Sequence, residues 1–107
     1  MPIVVVNVNP GVCGFKTVIK ATREGSRRAL LEINTECPNL KPLESELTSV
    51  DAYKECFISV GKSGIYEAAS KYCKHSACVV PAAITKGIEA ACGLALARNV
   101  SIEIKTE

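Results

Sequence analysis

Two hydrophobic periods divide the chain. Val4 to Val8 is a run rich in branched residues, ended by Asn9-Pro10-Gly11, and it predicts a first strand. From Phe15 to Thr22, Phe15, Thr17, Ile19 and Ala21 alternate with Lys16, Val18, Lys20 and Thr22. Ala29, Leu31 and Ile33 repeat the alternation between Arg27 and Thr35. Glu24-Gly25-Ser26 lies between these runs, so together they predict a β-hairpin. Pairing Ala21 with Ala29, Ile19 with Leu31 and Thr17 with Ile33 sets mostly apolar residues opposite one another, around that loop. A slip of one residue would turn one strand's apolar face into water. Carried to the open end of the hairpin, this register sets Cys13 opposite Cys37 on the core side, with Cβ atoms about 5 Å apart.

After Cys37-Pro38 the period lengthens. Leu40, Leu43 and Leu47 share one side of a helix-compatible stretch from Asn39 to Leu47, with Pro42 near its start. Ser49-Val50-Asp51 opens a second short helix through Phe57, Gly61 to Gly64 forms a turn, and Ile65 to Tyr72 is helical. Pro81 fits the first turn of the longest helix, which is expected to end near Arg98-Asn99. Ile84, Ile88, Ala91 and Ala95 form its buried stripe, while Gly87 and Gly93 let neighbouring backbone approach. Val100, Ile102 and Ile104 then alternate with Ser101, Glu103 and Lys105 as a last strand. Strands segregated from helices predict an α+β fold. Its mostly antiparallel sheet comprises the N-terminal strand, the hairpin and the C-terminal strand, with helices packed on one face.

Composition narrows the function more than the fold. The 107 residues are expected to form a single domain, 1–107, with 48% hydrophobic and 22% charged residues, which makes disorder unexpected. A net charge of +2, no tryptophan, three tyrosines and two phenylalanines offer neither a basic face nor a stacking platform, so nucleic acid is not an expected partner. Met1 to Asn7 shows no basic leader. The longest uncharged apolar stretch, Ala90 to Ala97, falls short of the ~18 residues needed to cross a bilayer. A cytoplasmic address without membrane association is expected. With no carboxylate pair, no Ser/His/Asp set and no nucleotide loop in view, the balance leans away from an enzyme.

Six cysteines in a reducing compartment point to metal or thiol chemistry rather than disulfides. The only histidine, His75, stands two intervening residues before Cys78, a spacing that lets both side chains of one loop converge on an ion. Because Pro81 opens a helix, Cys78 lies at a helix N-terminus, where the dipole is expected to lower its pKa. With Cys13 and Cys37 from the hairpin mouth, the set becomes three sulfurs and one nitrogen, donors suited to zinc or an iron–sulfur cluster. Cys37-Pro38 adds a dipeptide found at cluster-ligand positions. The expected metal ligands are therefore Cys13, Cys37, His75 and Cys78. Free cysteine is also a common small core residue, and Cys56, Cys73 and Cys92, beside apolar neighbours, read as packing. Cys73 is the first substitute should one of the four not be a ligand, and Cys56 another. An oxidised Cys13–Cys37 pair is a further reading.

Cys13-Gly14-Phe15, Glu36-Cys37-Pro38 and His75-Ser76-Ala77-Cys78-Val79-Val80-Pro81-Ala82-Ala83-Ile84 together resemble a family of small uncharacterised proteins of anaerobic bacteria and archaea, over the whole chain. That resemblance implies a joint site at these positions and no particular activity. Cys78 to Lys105 is similar to the TusA-type sulfur carriers, in which a Cys-Pro-x-Pro motif opens a helix and the cysteine carries a persulfide. Here Val79 stands in place of the first proline, and the resemblance implies only a persulfide-bearing thiol at Cys78. Three functions follow as expectations: a metal or cluster protein; a thiol-based sulfur carrier or redox protein with Cys78 as nucleophile and His75 as base; or an interaction module whose cysteines are core.

Overall fold

The branched run and the two alternating runs form strands β1 (Val4–Val8), β2 (Thr17–Glu24) and β3 (Arg28–Thr35). A computed structural model describes residues 3–107; Met1 and Pro2, where the leader reading begins, lie outside it. A fourth strand, β4 (Ser49–Asp51), completes an antiparallel sheet of order β1-β2-β3-β4. The helices are α1 (Leu43–Glu46), α2 (Ala52–Cys56), α3 (Gly64–Tyr72) and α4 (Val80–Ala91). The fold is α+β, with a sheet strictly alternating in β3: Ala29, Leu31, Ile33 and Thr35 are buried, and Arg28, Leu30, Glu32 and Asn34 are exposed.

The hairpin keeps the predicted faces but not the predicted register. Ile19 pairs with Ile33 and Ala21 with Leu31, two residues along from the expected partners, and Gly25-Ser26-Arg27 forms the loop. A two-residue shift preserves the strand's alternation, so hydrophobic patterning alone cannot distinguish the two registers. Local polar groups decide it. The buried Thr17 and Thr35 hydroxyls meet at 2.7 Å, and Arg23 donates to the Gly25 and Ser26 carbonyls at 3.1 Å each, closing the loop. Gly25 supplies the positive φ of 67°.

The predicted C-terminal strand is not formed. Residues 99–107 carry no regular secondary structure, and Val100, Ile102 and Ile104 are exposed. The outer edge of β3 is taken by β4, a segment expected to open a helix. The helix α4 ends at Ala91, short of Arg98-Asn99, because Gly93 turns left-handed (φ 72°) and the Leu94 N–H closes on the Glu89 carbonyl at 2.8 Å. Turns occupy the start of the Asn39–Leu47 stretch, leaving only Leu43–Glu46 helical.

Helix α4 lies across β1 and β2. Ile84 and Ile88 are fully buried, each contributing roughly 1.5–3 kcal/mol. A Cβ at Gly87 would come within 3.0 Å of Val6 Cγ2, so the missing side chain lets the helix settle onto the sheet. Among the described residues no helix is long and apolar enough to cross a membrane.

Candidate metal centre

The direction of α4 decides which cysteines can meet. Its C-terminal end lies at the hairpin tip, where Cys92 Sγ contacts the Arg28 carbonyl at 3.7 Å and a Cβ at Gly93 would lie 3.9 Å from Arg23 Nη1. Its N-terminus therefore lies toward the other end of the sheet, where β3 finishes and Cys37 follows. Cys37 is held there by the Thr35 hydroxyl. Its N–H donates to Thr35 Oγ1 at 3.1 Å, the hydroxyl that also meets Thr17. The Thr35 N–H donates to Glu44 Oε2 at 2.9 Å, tying α1 to the strand end. That bond, helped by Lys41, holds the Glu44 carboxyl below its ordinary pKa.

Helix α3 brings in another thiol. Ser63 caps its start, accepting from the Ile65 and Tyr66 N–H groups, and Glu55 accepts from the Gly64 N–H at 2.8 Å. Its other end is pinned to α1 by Tyr72, which donates to Glu46, and by a 3.6 Å Lys71–Glu46 ion pair. Cys73 caps this end, and its Sγ donates to the His75 carbonyl at 3.3 Å. The same carbonyl accepts from the Cys78 N–H at 3.0 Å, so the loop folds back on itself between the two cysteines.

Cys37, Cys73 and Cys78 are half-buried, packed against the same core. Desolvation raises the Cys78 pKa, and the neighbouring charges of Cys73 and Cys37 raise it further. The Val80 N–H at the start of α4 pulls the other way without prevailing. The expected lowering by the helix terminus is thus overturned by burial and by the adjacent sulfurs. His75 is exposed and lines an open cavity of about 450 Å³ with Cys73, Ser76, Cys78 and Pro81.

Cys13 is placed differently. It is exposed in the turn between β1 and β2, beside Gly14, whose φ is 72°. The Glu36 N–H bonds the Lys16 carbonyl at 2.9 Å, which continues the observed register and brings Phe15, not Cys13, level with Cys37. Cys37, Cys73, Cys78 and the His75 loop lie at one end of the sheet; the β1–β2 turn that carries Cys13 is at that end too, but Cys13 is exposed and makes no hydrogen bond among the described residues. Within that same range no group of three or more His, Cys, Asp or Glu side chains stands ready-made to hold a metal ion.

A second pair of thiols lies at the opposite end of α4. Cys92 is buried, as its apolar surroundings predict. Cys56 is half-buried, and desolvation, followed by the charges of Glu89, Cys92 and Glu55, pushes its thiol up to about 11. Both are protonated at neutral pH and behave as small core residues.

The model of a family of unknown function, DUF6951, matches residues 4–104. The chain belongs to that family. No curated protein and no solved structure matches it. Membership covers the sheet, all four helices and all six cysteines of the chain, without attaching a chemistry to any of them.

Proposed function

We propose that this DUF6951 protein is a cytoplasmic metal-binding protein that holds a zinc ion or an iron–sulfur cluster. The sulfur ligands are Cys37, Cys73 and Cys78, and His75 is the nitrogen donor. Cys73 takes the place in the set that the sequence assigns to Cys13. The observation that carries this reading is that Cys73 Sγ and the Cys78 N–H meet on the His75 carbonyl, at 3.3 and 3.0 Å, while Cys37, from a separate segment of the chain, packs with both cysteines against the same core. Three neighbouring sulfurs repel one another as thiolates, and a soft cation replaces their protons and turns that repulsion into attraction. Ligation requires the Cys73 thiol to leave the His75 carbonyl and the exposed imidazole to turn inward. Four protein donors around zinc make a closed, structural site, in keeping with a non-enzymatic role.

The test is anaerobic purification followed by metal and sulfide analysis and visible absorbance. One zinc ion or one cluster per chain is expected, held more weakly in Cys73→Ser and unchanged in Cys13→Ser. Protein free of both metal and sulfide, or loading indifferent to Cys73→Ser, would overturn the assignment.

A thiol reading, with Cys78 as the sulfur-bearing nucleophile in the manner of the TusA-type carriers, is favoured by its place just before the start of α4, whose Val80 N–H acts to lower the thiol pKa. The raised pKa weighs against it, since the thiolate is the nucleophile. Alkylation of chelator-treated protein separates the two: a Cys78 faster than an ordinary thiol supports the carrier.

A further inference from the structure

The sheet ends on one side in β1, whose outer edge has no partner among the described residues. Natural edge strands are commonly guarded by charge, proline or a bulge, whereas Val4–Val8 reads Val-Val-Val-Asn-Val and carries none of the first two. Its helix-side residues Val4 and Val6 are only half-buried, while their β2 partners Ala21 and Ile19 are fully buried. The apolar layer beneath α4 thus runs up to this edge and stops there.

The C-terminal segment has what such an edge accepts. Val100, Ile102 and Ile104 alternate with Ser101 and Glu103, and they are exposed by 61%, 69% and 91%. This five-residue pattern matches β1 in length and period, with Val4, Val6 and Val8 as the corresponding helix-side positions. The chain extends 46 Å along one axis against 28 and 25 Å along the others, which fits a tail standing off its own body.

We propose that residues Val100–Ile104 of one chain add as a fifth strand to the β1 edge of a second copy, and reciprocally, forming a strand-exchanged dimer. The backbone groups of β1 and the tail satisfy one another, and the tail's apolar residues complete the layer beneath α4 of the partner copy. Ser101 and Glu103 then face solvent. Reciprocal exchange makes a closed two-fold interface rather than an open chain of molecules. The inference is independent of the metal reading, because it uses the opposite side of the chemistry: backbone pairing and apolar alternation alone.

Sedimentation equilibrium of the full chain, with reductant and chelator present, tests it alongside hydrogen exchange of the tail amides. The expected result is a mass twice the 11.4 kDa of one chain and slowed exchange across Val100–Ile104. Ile102→Pro is expected to halve the mass and release the amides, with an unchanged circular dichroism spectrum of the body, since this position is exposed in the single chain. A wild-type monomer overturns the proposal, and a monomer with protected tail amides shows that the segment pairs with its own edge instead. A dimer that survives Ile102→Pro overturns it equally.

Discussion

Removing one hydroxyl, that of Thr35, is expected to loosen the end of the sheet that carries Cys37. Thr17 and Thr35 are 1% and 2% exposed, and their hydroxyls meet at 2.7 Å. Thr35 Oγ1 also accepts the Cys37 N–H at 3.1 Å. Thr35→Val keeps the volume but strands two groups. The buried Thr17 hydroxyl loses its partner at about 1–3 kcal/mol, and the half-buried Cys37 amide loses one at about 0.5–1.5 kcal/mol. The expected cost is therefore about 1.5–4.5 kcal/mol. Thr17→Val removes one hydrogen bond while Thr35 still receives the Cys37 N–H, so its cost is about 1 kcal/mol. In the double variant only the Cys37 amide is stranded, and its loss is expected to fall short of the sum of the singles by about 1 kcal/mol or more. Urea unfolding of all four proteins under reductant and chelator measures this cycle, with unchanged m-values as the check on two-state behaviour. A Thr35→Val cost below about 0.5 kcal/mol, or strict additivity, would refute the claim that these hydroxyls set the register and position Cys37.

Glu44→Gln probes the same corner through pH. The Glu44 pKa is lowered in the folded chain from an ordinary 4.5, first by the Thr35 N–H and then by Lys41. Its contribution is fully present above that ordinary value and disappears as pH falls through the lower folded value. The wild-type urea midpoint should therefore drop more steeply than that of Glu44→Gln below about pH 4.5, and parallel curves would show that the carboxylate is not so engaged. Ser63→Ala removes the α3 cap, which accepts from two amides, and should cost about 1–2 kcal/mol by urea unfolding. Ile84→Ala, at a fully buried position of α4, should cost about 2–5 kcal/mol; a loss under about 1 kcal/mol would contradict the packing of α4 on the sheet.

What the sequence reveals of this fold depends on whether neighbouring residues or distant ones decide each feature. The faces of β2 and β3 follow from alternation, and Gly87 from the needs of a closely packed helix. The register does not, because a two-residue shift leaves every side chain on its own face; the Thr17–Thr35 hydroxyl pair and the Arg23 bonds to the loop accompany the observed one. That shift sets Phe15, not Cys13, level with Cys37. Cys73 reads as packing beside Tyr72, whereas in the fold its thiol and the Cys78 N–H share the His75 carbonyl, at the end of a helix that Tyr72 and Lys71 tie to Glu46, far earlier in the chain. Val100 to Ile104 has a strand's pattern and no strand's partner, since alternation records what a segment can bury and not whether an edge is at hand.

Cobalt titration tests the proposed metal site most directly. Cobalt(II) occupies tetrahedral zinc sites, and its sulfur-to-metal charge-transfer absorbance grows with the number of thiolates bound. The chain, reduced and freed of metal under anaerobic conditions, is expected to bind one cobalt ion with an absorbance of three thiolates. Serine at Cys37, Cys73 or Cys78 should each lower that absorbance by about a third, and serine at Cys13, Cys56 or Cys92 should leave it intact. No charge-transfer band, or a band that is lost with Cys13 and indifferent to Cys73, would contradict the proposed centre.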